Sequence, residues 1–328
     1  MRIPLSLLSV VLAASAAVLG PVAPAAAAPA AAPAVDVRPG ALDRGPAPSA
    51  PHVVGSTIVD GGRRIPVAAE EVRLLGTSGR AYVVAVSSGR GPGPRVLRVR
   101  PDGSTRVLAR RTYGDALLGA DGETLVHVRP AGRGSRVTVI DARTGRSVAT
   151  RRVRGDAELL DVETGRVLLT TYGPDRTLVW RSGADRVRTV LRRAAGLGDL
   201  GSDRLAWIAG DPYAGGCTRL ARVSDPSDLV WRSCRDAVAS ISPDGSRLLT
   251  LHKLTDGVGS RELRMRRADG TLLATYRVKG WFRGWFWEDD RTIVAGANGR
   301  SRYALVRCAG DDCERAGATE PAHQERAA

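Results

Sequence analysis

Acidic side chains return along this 328-residue chain at a roughly constant interval: Glu71, Asp115, Asp156, Asp199 and Asp236, with Arg283 in the sixth slot. If each stands where an equivalent inner strand begins, the six ring the mouth of a central channel. Carboxylates in that arrangement suit a cation or a basic ligand group. The local alternative is that each accepts backbone N–H groups of its own loop, as Asp does in turns. Carboxylate pairs drawn from different strands also support hydrolysis and leave no local signature. Trp281, Phe282, Trp285, Phe286 and Trp287 form the one aromatic concentration in a chain with 4% aromatics. At strand spacing, Trp285 and Trp287 share a face and Phe286 takes the other, and one of the two faces wedges between blades. Trp281, just before that strand, is placed to stack on a sugar or another planar group.

Other chemistry is thin. His52 and His323 lie near the ends, and His127 and His252 fall on strand-like runs, where a packed structural role is ordinary. His252 with Lys253 and Asp256 is the nearest approach to a polar catalytic cluster. There is no Gly-x-Ser-x-Gly elbow, His-Glu-x-x-His pair or Walker loop. No catalytic residue, metal or cofactor is therefore assigned.

A repeat positions these residues. Turns rich in Gly and Asp end at 79, 122, 165, 203, 245 and 290, spaced by 43, 43, 38, 42 and 45 residues. A second series ends at 103, 145, 185, 228, 270 and 312, spaced by 42, 40, 43, 42 and 42. Between them lie apolar runs of strand length, such as 81–86, 124–128, 166–171 and 247–251, several of which alternate with polar residues. Each unit of about 42 residues thus holds four antiparallel strands, a to d, which is the period of a propeller blade. The expected fold is an all-β propeller of six full four-stranded blades, starting near Glu71, Asp115, Asp156, Asp199, Asp236 and Arg283. An N-terminal hairpin, 56–60 with 63–67, is in phase with the second series. It is either the outer half of a partial seventh blade or a flap closing a six-bladed ring. The b–c and d–a loops would carry ligands, and the first, fourth and fifth b–c loops are long and Gly-rich.

Ser242, Pro243, Asp244 and Gly245, set before an apolar strand, resemble the hallmark turn of TolB-like and WD40-like propellers. The resemblance spans residues 52–318 and implies architecture rather than activity. The Trp-Asp dipeptide is replaced by Trp180 with Arg181 and Trp231 with Arg232, and the Gly-His signature is absent.

The four cysteines test the register. Cys217 and Cys234 are centred on one c–d turn, and Cys308 and Cys313 on another. Residues equidistant from a hairpin turn face each other, so disulfides Cys217–Cys234 and Cys308–Cys313 are expected, and no four-thiolate metal site. The address agrees: Arg2, a 15-residue apolar run over 5–19 and Ala26 to Ala28 read as a Sec signal peptide, 1–28. Residues 29–51 read as an Ala/Pro-rich flexible leader and 319–328 as a disordered tail, with no transmembrane anchor.

The 49 Lys and Arg against 34 Asp and Glu give a charge of +15, and only Lys253 and Lys279 are lysine. That Arg excess carries the mark of a GC-rich coding bias. Spread over nearly every blade, it does not form the aromatic-interleaved stripe of a nucleic-acid reader, so no specific nucleic acid is expected. The resulting expectation is a secreted, noncatalytic binding or scaffold module for a protein or glycan of the envelope or medium. The alternatives are an extracellular hydrolase or lyase acting on saccharide, and Arg-mediated adhesion to anionic polymers.

Overall fold

The computed structural model describes residues 32–88, 93–112, 116–255 and 257–322; the signal segment, Asp115, Asp256 and His323 lie outside the described residues. Among the described residues, the regular structure is almost entirely β-strand, and none of the helices is long and apolar enough to cross a membrane.

Gly and Asp at the turn ends decide where strands reverse. Gly79, Gly122, Gly165, Asp203 and Gly245 have φ of 60°, 67°, 72°, 56° and 71°, the left-handed region that Gly enters freely and Asp tolerates. Between the turns, antiparallel strands pair in sequence order. The first unit is Glu71–Ser78, Ala81–Ser87, Arg95–Val99 and Thr105–Arg110. The second is Ala116–Leu118, Thr124–Pro130, Gly134–Asp141 and Ser147–Arg154. The third is Asp156–Glu163, Arg166–Tyr172, Arg176–Arg181 and Arg186–Leu191. The fourth is Leu197–Asp199, Arg204–Ala209, Cys217–Ala221 and Leu229–Ser233. The fifth and sixth share one strand. Asp236–Ile241, Arg247–His252 and Ser260–Arg267 lead into Leu272–Trp287, whose second half pairs with Ile293–Asn298, followed by Arg302–Ala309 and Asp312–Arg315. The N-terminal hairpin gains a third strand: His52–Val54, Thr57–Asp60 and Arg63–Pro66 form one sheet.

The apolar core is divided among neighbouring sheets. Val167 and Leu169 enter a cluster with the second unit, while Leu168 between them enters one with the fourth. Tyr82, Val84 and Val86 likewise pack on the N-terminal sheet, and Val83 on the second unit. Strand b is therefore buried on both faces, and its apolar runs are continuous because neither side meets water. Sheets stacked face to face in series, each contributed by one repeat, make a β-propeller.

Two terminal expectations need correction. The leader is not a free tether where it is described: Ala34–Val37 adds in parallel to Leu272–Trp287, pairing Ala34 with Thr275 and Val37 with Val278. Val37 is 2% exposed in the core of the fifth and sixth units. The alternation of Val35, Asp36 and Val37 suits a strand, and the outer edge of the fifth unit offers unpaired backbone to it. Further along, Gly45 N–H donates to the Arg315 carbonyl, and Ser49 N–H to Glu288 at 2.6 Å. At the other end, Glu320–Pro321 pairs with Arg302 and Tyr303.

Candidate functional site

The strand register tells which carboxylates share a face. Glu71 pairs with Ser87, Asp156 with Tyr172 and Asp236 with His252, each joining the start of strand a to the end of strand b. These three stand at the b–c end of their sheets. Asp199 does not. It pairs with Arg204 at the start of strand b and caps the a–b turn, accepting Ser202 N–H at 2.6 Å and its hydroxyl at 2.8 Å. The fourth unit has a three-residue inner strand, so the acid found by spacing falls at its far end. Arg283 also sits deeper than a mouth position: Trp281 pairs with Asn298, and Arg283 with Gly296.

The mouth carboxylates have different surroundings. Asp236 is 1% exposed and lies between two guanidinium groups, Arg264 Nη1 at 2.5 Å and Arg266 Nη2 at 2.7 Å. Arg264 also pairs with Glu262, and Arg266 lies over the Trp231 ring at 5.7 Å. Asp236 thus serves a buried ionic network, in which each charge needs its partners to offset desolvation. Glu71 accepts the Ser87 hydroxyl at 2.5 Å, and Asp156 is exposed. The carboxyl held above its usual range is Asp161, by burial and by neighbouring Asp199 and Glu163, with Leu200 N–H donating to it at 2.6 Å. It belongs to the a–b end, where it ties the third unit to the fourth.

His252 and its neighbour Lys253 bond to nearby loops. His252 accepts the Leu254 N–H at 3.3 Å, and Lys253 Nζ donates to the Gly216 carbonyl of the neighbouring loop at 2.5 Å. His127 is 3% exposed, and burial together with Arg129 pulls it down to about 4, so it stays neutral at ordinary pH.

Trp281 is half-buried at the mouth end, against Gly259 of the fifth unit. Trp285 and Trp287 pack on the core, with Trp287 Nε1 donating to Ser240 at 2.9 Å. The spacing argument missed exposed apolar side chains at the b–c end of three successive units: Tyr172, which closes strand b with its hydroxyl donated to Glu158 at 3.1 Å, and the loop residues Tyr213 and Leu254, at 44%, 81% and 38% exposure. A Tyr inside a Gly-rich loop, as at 213, was the available signal.

The cysteines are joined as the hairpin centres require. Cys217 is bonded to Cys234 with Cα atoms 4.0 Å apart, and Cys308 to Cys313 at 4.3 Å. Bonds of this kind persist in oxidising surroundings.

No family model matches the chain, and no curated protein matches it by sequence. Solved structures do resemble it. The β-propeller domain of the Trilobed protease from Pyrococcus furiosus, described as having an open velcro topology, aligns with a TM-score of 0.60 at 9% identity, over 80% of this chain and 86% of that one. Kluyveromyces lactis Hsv2 aligns at 0.53 and 12% identity, over 89% and 98%. TolB from Acinetobacter baumannii gives 0.43 at 14% identity, over 82% and 59%. The protein is a β-propeller. Likeness at these identities is one of fold alone.

Proposed function

We propose that this protein is an exported, noncatalytic propeller that binds a protein or glycan partner through its b–c face. The observation that carries the reading is the exposure of Tyr172, Tyr213 and Leu254 on three consecutive units at that face. Large apolar side chains exposed on one face suit a contact surface, and Tyr gives contact area at low entropic cost. The mouth carboxylates support binding over hydrolysis: Asp236 is engaged by arginines rather than facing a second acid, and Glu71 is held by Ser87. Export is supported by the sequence of residues 1–28 and by the two disulfides. The test is native co-purification from producing cultures. A partner retained by the wild type and lost from a Tyr172→Ala/Tyr213→Ala variant with intact thermal unfolding is the expected result. Retention of every co-purifying species by that variant would overturn it.

A further inference from the structure

On the face of the third unit that packs against the fourth, buried Leu168 and Val179 give way toward the turns to arginine. Arg166, Arg181 and Arg186 stand directly opposite one another on strands b, c and d. Arg188 lies two residues along, opposite Val179. Directly opposed side chains share a face, and like charges so placed repel. These four arginines line a cavity of about 350 Å³, closed from the fourth unit by Leu200 and Asp203.

The acids around this cavity are largely committed. Glu163 pairs with Arg166, and Asp185 with Arg151 at 2.5 Å. Asp203 accepts the Ser224 N–H at 2.8 Å and hydroxyl at 2.6 Å, and lies 4.0 Å from Arg222. Arg188 gives one N–H to the Val223 carbonyl at 3.4 Å. Among the described residues, Arg181 and Arg186 have no ion pair. Four arginines thus line the cavity with Asp203 as the carboxylate among its lining residues, while nearby Asp161 and Asp199 accept the Leu200 and Ser202 N–H groups. Guanidinium forks match phosphate oxygens in pairs, and strands hold them rigidly.

We infer that the cleft between the third and fourth units binds a dianionic phosphate group, such as a phosphomonoester or diphosphate. The row of arginines alone does not single it out, since Arg129, Arg136 and Arg152 form a similar row in the second unit. The cavity does. The cleft lies at the a–b end of the sheets, so the inference is independent of what the b–c face binds.

Calorimetric titration of the purified protein with pyrophosphate tests it. One saturable site is expected, with the dissociation constant raised about tenfold or more in Arg181→Gln/Arg186→Gln. The charge-matched control Arg136→Gln/Arg152→Gln should stay within about twofold of wild type, because it changes net charge equally. Should the cleft double variant fail to fold by circular dichroism, Arg186→Lys keeps the charge and loses the fork, and should weaken binding severalfold. A second arm separates the phosphate's source. Retention on vesicles containing phosphatidic acid, whose headgroup is a phosphomonoester, that pyrophosphate competes away assigns the cleft to lipid phosphate, and absence of retention to a soluble ligand. No saturable pyrophosphate binding to wild type, or equal weakening by the cleft and control variants, would overturn the inference.

Discussion

Gly122→Ala and Gly165→Ala separate two reasons for Gly at the same turn position. Their φ values are nearly equal, 67° and 72°, so both substitutions carry left-handed strain of about 1 kcal/mol. Their surroundings differ. A Cβ at Gly165 meets nothing within 4 Å, whereas one at Gly122 would lie 2.4 Å from the Thr77 carbonyl oxygen of the first unit. Reaching ordinary contact at 3.4 Å requires that backbone to retreat by 3.4 − 2.4 = 1.0 Å, against the cluster joining the two units. Overpacking of this kind adds about 1–3 kcal/mol. Gly122→Ala should therefore unfold about 2–9 °C below Gly165→Ala, using roughly 2–3 °C per kcal/mol at this size. Calorimetry or urea denaturation of the two variants side by side reads the difference. Equal midpoints would refute the idea that neighbouring a–b turns brace each other.

Further outcomes follow from the buried charges and crosslinks. Asp236→Asn should cost about 3 kcal/mol or more, because it leaves Arg264 and Arg266 without their shared counter-charge; urea denaturation measures it. His127 titrates at about 4 in the folded state against 6.5 ordinarily, so only the unfolded chain takes up a proton between those values. Its contribution is complete above pH 6.5 and is lost toward pH 4, by about 3 kcal/mol; His127→Gln should flatten that part of a stability–pH profile. Opening Cys217–Cys234, which spans 17 residues, with paired Ser substitutions should cost about 3 kcal/mol by thermal unfolding.

The architecture was readable in the sequence because its punctuation is backbone chemistry. Positions 79, 122, 165 and 245 are Gly where φ is positive, and 203 is Asp doing the same task. Cysteine pairing was readable for a related reason, since distance from a turn fixes which residues face each other. Spacing failed at Asp199, where a short inner strand moves the acid to the opposite end. It also gave no view of Arg264 and Arg266 closing on Asp236, because those contacts cross 28 and 30 residues of chain. The segment from 34 to 49 looked like a tether, since Ala and Pro dominate its neighbourhood. Its role depends on an open sheet edge more than 220 residues away, as Ala34 pairing with Thr275 (275 − 34 = 241) shows.

The most direct test of the proposed binding role is a photoreactive phenylalanine analogue placed at Tyr213, with the same group at Val148, 57% exposed on an outer strand, as the comparison. In producing cultures, the account predicts one dominant crosslinked adduct from position 213 that is missing from position 148. No adduct at 213, or the same adducts from both positions, would contradict it.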